Sequence, residues 1–195
     1  MTRIIAGSAG GRRLLAPKGE RTRPTTDRTK EALFSALASW FGTLQRPAWD
    51  QLGRVAVLDL FAGSGAIGLE AASRGAAPVV AVESARSAAA LIGRNASQLE
   101  LGLQVVTARV ASYLEGPPRR FDLVFADPPY GFGNEEVESL LSRLTAGWLS
   151  PGALVVVERS ARDDPFGWPQ EFADTWSRRY GETTLYYATT QPAEE

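Results

Sequence analysis

Apolar and polar positions along this chain form a repeating pattern of short apolar runs separated by stretches with helical spacing. Five apolar runs predict buried strands, at 55–60, 79–83, 105–107, 121–126 and 153–158. The intervening stretches predict helices that end near residue 74 and that span 85–99, 110–114 and 135–149. Two more strands are expected in the tail, where they meet at Gly181. Strands that alternate with helices indicate an α/β fold with a mostly parallel sheet of seven strands and helices on both faces.

The first 42 residues show a different pattern. Two short apolar runs, at 3–7 and 12–16, flank a glycine-rich cluster and predict a β-hairpin. After a polar connector, Thr25 or Thr26 is expected to cap a helix over 26–42. The apolar residues of this helix are expected to face the core: Leu33, Ala36, Leu37, Trp40 and Phe41.

The composition narrows the chemistry that is available to the chain. It has 195 residues but no cysteine and no histidine, which excludes disulfides, thiolate nucleophiles and imidazole bases. We therefore expect no metal site, and chemistry that uses carboxylates, hydroxyls, lysine or backbone groups. Every apolar run is broken well short of the roughly 20 residues that a membrane helix needs. The amino terminus lacks the apolar segment of a secretory signal, so the expected location is the cytoplasm.

The charge of the chain is unevenly distributed. The net charge is −1, yet residues 1–30 hold eight basic and two acidic side chains, so this segment carries +6 and the remainder −7. A basic segment on an acidic domain predicts a polyanionic partner, with a solvated, charged terminus as the plainer alternative. We therefore predict a polyanion-binding hairpin extension at residues 1–24 and an α/β domain at residues 25–195. The candidate phosphate contacts are Arg3, Arg12, Arg13, Lys18, Arg21, Arg23 and Arg28.

Three features of the sequence are expected to meet at the carboxyl edge of the sheet, where open α/β sheets bind ligands. The first is the loop Asp59-Leu60-Phe61-Ala62-Gly63-Ser64-Gly65, whose glycines allow a tight turn and close approach to a ligand. The second is Glu83, 20 residues beyond Gly63, which can accept hydrogen bonds from both hydroxyls of a ribose or cap the next helix. The third is the corner Asp127-Pro128-Pro129-Tyr130 at the end of the fourth strand.

The proline corner favours one kind of chemistry. Proline cannot donate to a sheet ladder and restricts the residue before it, so the corner is stiff and carries one carboxylate and one aromatic ring. An aryl or amide nitrogen is a poor nucleophile because its lone pair is delocalised. If the Asp127 carboxylate and the Pro128 carbonyl accept its N–H groups, the nitrogen can pyramidalise and direct its lone pair at a sulfonium methyl group. Tyr130 can stack on the base, a contact worth roughly 1–3 kcal/mol.

These residues resemble a known family. The corner at 127–130 resembles the (Asp/Asn/Ser)-Pro-Pro-aromatic motif of S-adenosylmethionine-dependent amino-group methyltransferases, and residues 59–65 resemble their motif I. Four further segments resemble the RsmD-type branch, the bacterial 16S ribosomal RNA guanine-N2 methyltransferases: 3–7, 11–14, 22–34 and 180–185. The resemblance implies a Rossmann-like class I methyltransferase fold and S-adenosyl-L-methionine as cofactor. It also implies methylation of a guanine N2 amine in 16S ribosomal RNA or an assembling small ribosomal subunit.

The resemblance also implies roles for single residues. It places the target amine at Asp127, Pro128, Pro129 and Tyr130, and the cofactor at Asp59, Phe61, Gly63, Ser64, Gly65 and Glu83. It places the segment 23–28 near the cofactor and the pocket for the target base. Many relatives carry an Asp or Asn after the third strand that meets the adenine, and Arg109 occupies that position here, so Arg109 or the Val110 backbone is expected to make this contact. Phe61 is equally compatible with a core position.

Other functions stay open at this point. A DNA adenine-N6 methyltransferase uses the same corner, although the chain is short for an added target-recognition domain. A non-catalytic RNA-binding or assembly protein would keep the pocket as a vestige, and a dinucleotide dehydrogenase would give the proline corner no role. For the methyltransferase, the target base must leave any stack. A monomer and no membrane partner are expected.

Overall fold

The computed structural model describes residues 2–16 and 26–192 and contains a seven-stranded sheet. In chain order its elements are α1 (Asp27–Trp40), a 3₁₀ turn (Ala48–Asp50), β1 (Val57–Leu60), α2 (Ala66–Ser73), β2 (Val79–Glu83), α3 (Arg86–Leu99), β3 (Gln104–Thr107), α4 (Val110–Leu114), β4 (Phe121–Ala126), α5 (Asn134–Thr145), β5 (Leu149–Ser160), β6 (Phe172–Tyr180) and β7 (Thr183–Thr190). No helix within the two described ranges is long and apolar enough to cross a membrane.

The sheet has the strand order β3-β2-β1-β4-β5-β7-β6. Strands β1 to β5 pair in parallel, whereas β7 runs antiparallel between β5 and β6. The predicted α/β fold with a mostly parallel sheet is therefore confirmed, including the turn at Gly181 between the last two strands. Strands β7 and β6 lie at one edge of the sheet and β3 lies at the other, so β1 and β4 are neighbours near its centre.

Alternate residues of the strands pack on opposite faces of the sheet. Leu58 and Leu60 of β1 lie in one hydrophobic cluster with residues of α4 and α5. Val57 of β1 lies in a second cluster with residues of α1 and α2. Because both faces are covered by helices, the central strands appear in the sequence as continuous apolar runs rather than as alternating ones.

Residues 2–16 form a turn that packs on α2 and α3. A single antiparallel bridge joins Arg3 to Arg13, so the predicted hairpin is correct in its pairing but not in the length of its strands. Ile4, Ala9 and Leu14 are buried in one cluster with apolar residues of α2 and α3. Burial of these side chains holds the segment against the helices.

The first helix begins where expected, but its buried face differs from the prediction. The Thr26 hydroxyl accepts a hydrogen bond from the Thr29 N–H at 3.1 Å, whereas the alternative cap, Thr25, lies outside the described residues. Leu33 and Leu37 are buried, but Trp40 is 45% exposed. Trp40 lies in the last turn of α1, where it contacts a half-exposed edge strand instead of the core, through the ring of Trp176 at 5.6 Å.

The helix predicted over 135–149 ends earlier, at Thr145. Gly147 adopts the left-handed conformation (φ +103°), which turns the chain directly into β5. The apolar residue Trp148 is therefore buried in the connection rather than on a helix. The pair Pro151 and Gly152, expected as a helix stop, lies inside β5, where the register against β4 shifts between Leu149 and Leu154.

A buried cluster of charges joins the N-terminal segment to two helices. Glu70 of α2 is fully buried and accepts hydrogen bonds from the backbone N–H groups of Ile5 (2.6 Å) and Ala6 (3.0 Å). The same carboxylate is paired with Arg74 Nε at 2.9 Å and with Lys30 Nζ at 3.7 Å. Burial lowers the pKa of Lys30, and the Glu70 carboxylate acts in the opposite direction. Glu70 therefore fixes residues 2–16 on the α/β domain.

Candidate active site

Three loops leave adjacent strands at the carboxyl edge of the sheet. Leu60 of β1 pairs with Val82 of β2 on one side and with Ala126 of β4 on the other. The residues that follow at the same level of the three strands are Phe61, Glu83 and Asp127. Since neighbouring strands lie about 4.8 Å apart, the glycine loop after β1 stands between two carboxylates. The register thus brings together the three features that the sequence singled out.

The glycine loop depends on left-handed backbone conformations. Gly63 (φ +54°) and Gly65 (φ +77°) both adopt them, and so does Phe61 (φ +59°), for which this costs about 1–2 kcal/mol. A Cβ on Gly65 would lie 2.9 Å from Ile92 of α3, whereas a Cβ on Gly63 would find no atom closer than 3.9 Å. Gly65 is therefore needed for packing, and Gly63 leaves its backbone open to a ligand.

Asp59 ties β1 to the helix that follows the loop. Its side chain is 2% exposed, and the Gly68 N–H donates to its Oδ2 at 2.9 Å. Burial raises the pKa of Asp59 to about 7, and the Asp127 and Glu83 carboxylates add to the shift while the Gly68 N–H opposes it. These carboxylates are thus close enough to influence one another. Among the described residues, no group of three or more His, Cys, Asp or Glu side chains is arranged to hold a metal ion.

Glu83 braces the glycine loop against the start of α3. Its Oε2 accepts the Gly63 N–H at 2.8 Å, and its Oε1 accepts the Ala85 N–H at 2.7 Å. The capping role that the sequence left open is therefore present. It does not compete with ribose binding, because each carboxylate oxygen has a second lone pair.

The proline corner presents a carboxylate beside an exposed ring. Asp127 is half-buried, and burial raises its pKa to about 6. Pro128 is half-buried, Pro129 is exposed, and the Tyr130 side chain is 86% exposed. The corner therefore offers a partly desolvated hydrogen-bond acceptor next to an aromatic face that is accessible to a partner.

Two residues near this corner were not singled out by the sequence analysis. The Phe132 ring packs edge-on against Phe61 at 5.3 Å, and Arg159 donates from Nη1 to the Phe132 carbonyl at 2.5 Å. Arg159 lies immediately after the predicted strand 153–158. Its place at the carboxyl end of a strand is the signal that could have identified it.

A third residue missed by the sequence analysis is Asn95 of α3. Its Oδ1 accepts the Leu15 N–H at 2.8 Å, and its Nδ2 donates to the Leu15 carbonyl at 3.2 Å and more weakly to the Ser64 carbonyl at 3.4 Å. Ser64 itself is half-buried in the glycine loop. Asn95 therefore links the N-terminal segment to the loop. A single Asn within a helical pattern gives no sequence signal for such a contact.

The start of α4 lies beside Glu83. The Ala108 N–H donates to the Glu83 carbonyl at 3.1 Å, which places the next two residues, Arg109 and Val110, near the same edge of the sheet. Arg109 is the exposed N-cap of α4 and makes no side-chain capping bond, and Val110 is the first residue of the helix. Both candidates for an adenine contact are therefore near Glu83.

The candidate phosphate contacts differ in how they are engaged. Arg3 is paired with Asp27 at 3.2 Å, and the Arg12 guanidinium donates to the Gln98 and Leu99 carbonyls at the end of α3. Arg13 and Arg28 are exposed and make no ion pair or side-chain hydrogen bond within the described residues. The remaining three lie outside the described residues: Lys18, Arg21 and Arg23.

Comparisons with known proteins show what this chain is similar to. Residues 2–189 match the family described as Conserved hypothetical protein 95. The chain is 39% identical over 158 residues to the ribosomal RNA small subunit methyltransferase D of Escherichia coli (strain K12), which covers 80% of this chain and 73% of that protein. The solved structure of the putative methyltransferase yhhF from Escherichia coli superimposes with a TM-score of 0.83 at 29% identity, covering 98% and 99% of the two chains. A Thermus thermophilus 16S rRNA N2 methyltransferase (RsmC) in complex with AdoMet and guanosine shares the fold, with a TM-score of 0.66 at 23% identity over 88% of this chain and 45% of that one.

Proposed function

We infer the function from one premise: this chain belongs to the family described as Conserved hypothetical protein 95, which it matches over residues 2–189. It is an RNA methyltransferase that uses S-adenosyl-L-methionine and acts on small-subunit ribosomal RNA. We propose that the acceptor is the exocyclic N2 amine of a guanine in 16S ribosomal RNA. The observation that carries the proposal is the register that sets Asp127 beside the glycine loop on neighbouring strands.

The glycine loop and its surroundings fit the cofactor. The uncrowded position of Gly63 lets a ligand approach the loop closely, the carboxylate of Glu83 offers acceptors for the hydroxyls of a ribose, and the nearby carboxylates suit a positively charged sulfur. When bound, S-adenosylmethionine supplies an electrophilic methyl group on that sulfur. We propose that it is held by Asp59, Phe61, Gly63, Ser64, Gly65 and Glu83, with Arg109 or the Val110 backbone at the adenine.

The proline corner holds the amine that is methylated. The Asp127 carboxylate and the Pro128 carbonyl accept its two N–H groups, which restrains the nitrogen and directs its lone pair toward the glycine loop. The carboxylate also stabilises the positive charge that develops on the nitrogen during transfer. Pro129 keeps the corner rigid, since its ring fixes φ and it has no N–H to pair elsewhere.

A guanine can reach Asp127 only when it is unstacked. The exposed Tyr130 ring provides a surface on which a flipped base can stack, which offsets part of the cost of unstacking. We propose that residues 1–24 form an extension that contacts the RNA backbone. We also propose that the substrate is an assembling small subunit, that the enzyme acts in the cytoplasm, and that it is a monomer.

The two neighbouring arginines of the N-terminal segment are expected to behave differently. Arg13→Gln should weaken RNA binding and reduce the salt slope by about one unit, because one fewer counterion is released. Arg12→Gln should lower stability instead, since its guanidinium binds the last carbonyls of α3. Fluorescence anisotropy with a labelled RNA hairpin at several salt concentrations measures the slope. An unchanged slope in Arg13→Gln would place the phosphates elsewhere, and cofactor affinity should be unaffected in both variants.

The activity is expected to depend on pH through Asp127. Only the carboxylate form of Asp127 carries the negative charge that stabilises the positive charge developing on the amine nitrogen, and burial raises its pKa to about 6. At saturating cofactor, kcat/KM for the ribosomal RNA substrate should therefore rise as the pH increases through about 6, and it should level off at higher pH. Asp127→Asn keeps an acceptor oxygen but does not titrate, so its profile should lose this limb. A limb that persists in Asp127→Asn would assign the titration to another group.

Methyl transfer from tritiated cofactor tests the proposed function. Small subunits and 16S ribosomal RNA from a strain that lacks the gene should accept label, and mass spectrometry of the digested RNA should identify N2-methylguanosine. Label in plasmid DNA at adenine N6 would support the DNA methyltransferase instead. Absence of heat on titration with S-adenosylmethionine would support a non-catalytic RNA-binding protein.

A further inference from the structure

We propose that Arg159 and Asp163 form a latch that positions the loop 128–133 for the target base. The proposal rests on the proposed function, because it assigns Arg159 a positioning role in that same site. Arg159 is not placed in contact with the reacting atoms. It acts through the backbone of the loop that carries Pro128 and Tyr130.

The latch contact is made at the far end of the loop. Arg159 Nη1 donates to the Phe132 carbonyl, 27 residues earlier in the chain, and the Arg159 side chain is only 9% exposed. Its Nε faces Asp163 Oδ2 at 3.1 Å as an ion pair. The Nε atom is enclosed and lacks an aligned hydrogen bond, so the attraction to Asp163 is mainly between the two charges. Asp163 thus compensates a guanidinium that would otherwise be costly to bury.

The latch is built on a segment that has further anchors. Asn134, the first residue of α5, donates from Nδ2 to the carbonyls of Asp164 (3.2 Å) and Pro165 (3.1 Å). Further along α5, Glu138 accepts the Gly167 N–H at 2.7 Å. The segment that carries Asp163 is therefore fixed to α5 independently of Arg159, and it provides a firm support for the guanidinium.

The loop itself has few other restraints. The Phe132 N–H donates to the Pro129 carbonyl at 3.1 Å, which closes a turn around Tyr130 and Gly131. Gly131 is in the left-handed conformation (φ +90°), and a Cβ there would meet no atom within 4 Å. Tyr130 is exposed, so packing restrains it little. The position of the turn is thus set at Phe132.

Phe132 is held from two sides. Its ring packs on Phe61 of the glycine loop, and its carbonyl binds Arg159 at the end of β5. Phe132 therefore spans the space between the cofactor loop and β5, and the proline corner lies in between. Release of the carbonyl would leave Phe132 with the ring contact and with the hydrogen bond to Pro129, which lies within the loop itself. Neither contact ties the loop to β5, so Pro128 and Tyr130 would move relative to the glycine loop.

The test combines kinetics with hydrogen exchange on the full chain. Arg159→Met keeps the apolar stem of the side chain and removes its donors. It should lower kcat/KM for small subunits by up to about 100-fold, the loss expected from a displacement near 1 Å, with cofactor affinity unchanged. Amides of residues 130–134 should exchange faster. Asp163→Asn should also lower kcat/KM and speed the exchange of these amides, by a smaller factor. This variant replaces Arg159→Met in the test if Arg159→Met folds poorly.

Arg162→Met is the matched control. Arg162 lies in the same segment, but its side chain is 82% exposed and pairs with Glu182, so its loss should leave both quantities unchanged. Unaltered exchange and kcat/KM in Arg159→Met, measured well below the unfolding temperature, would overturn the latch. If the wild-type enzyme transfers no methyl group to ribosomal RNA, the proposed function fails, while the exchange measurement still decides whether Arg159 holds the loop.

Discussion

Replacing Asp127 with alanine is expected to lower kcat/KM for methyl transfer by about 10²–10³-fold, the loss typical of a removed group that stabilises transition-state charge. The side chain is half-buried beside the glycine loop, so water replaces the lost carboxylate poorly. The N–H groups of the amine would keep one acceptor, the Pro128 carbonyl. Initial rates with tritiated cofactor and small subunits measure the loss.

Cofactor binding separates a catalytic loss in Asp127→Ala from a structural one. The residues proposed to hold the cofactor lie on β1, β2 and their loops, so calorimetry should give nearly the wild-type affinity. Asp164→Ala removes an exposed carboxylate from the segment after β5 and should keep full activity. Full activity of Asp127→Ala would refute the proposed role of this residue in catalysis. A parallel loss of cofactor binding would indicate a role in the cofactor site instead.

Removing the buried charge of Glu70 is expected to destabilise the protein by about 3–5 kcal/mol, the usual cost of leaving a buried partner uncompensated. In Glu70→Gln, Lys30 stays fully buried and keeps the Arg3 carbonyl, but it loses the carboxylate with which it is paired. One of the two backbone N–H groups from Ile5 and Ala6 would lose its acceptor as well. Urea unfolding at 25 °C measures the change, and Glu31→Gln, on the exposed face of α1, should stay within about 0.5 kcal/mol of wild type.

The pH dependence of Glu70→Gln provides an independent check. Burial already lowers the pKa of Lys30, and loss of the carboxylate should lower it further. The unfolded chain then binds more protons than the folded chain, so the stability of the variant should rise with pH in the alkaline range, more steeply than that of wild type. The double variant Lys30→Met/Glu70→Gln should lose less stability than the sum of the losses of the two single variants. Additive losses would show that the pair is not coupled.

Local sequence rules located most of the elements of this fold. The predicted strands at 79–83 and 121–126 and the helix at 110–114 agree with the structure at both ends. Their boundaries are marked by apolar runs and by turn residues, which act locally. The helix predicted to reach residue 149 was too long. The apolar spacing places Leu149 equally well at the end of a helix or at the start of a strand, and only its pairing with Phe121 of β4 assigns it to a strand.

The site was predictable to the extent that its residues lie at strand ends. Asp59 lies one residue before the end of an apolar run, Glu83 ends one and Asp127 follows one, and parallel strands bring their carboxyl ends to one edge. Asn95 gave no such pattern, because it lies within a helix and acts on carbonyls that are distant in the chain. Arg159 does follow an apolar run, but its partner is the backbone carbonyl of Phe132, which the sequence does not reveal. The sequence also did not reveal that Arg12 donates to carbonyls at the end of α3, since a count of charges does not distinguish an arginine that caps a helix from a free one.

Order and spacing of residues along the chain were sufficient to determine the α/β class, the seven strands and the family. They also identified the glycine loop and the proline corner, because each is a continuous stretch whose backbone preferences are its own. Only the tertiary structure decided that the basic N-terminal segment is fixed on the domain through Glu70 and Asn95, and that Phe132 is held by Arg159. These contacts join residues about 27 to 80 positions apart, and their partners are backbone groups, which carry no side-chain identity for a sequence pattern to reveal.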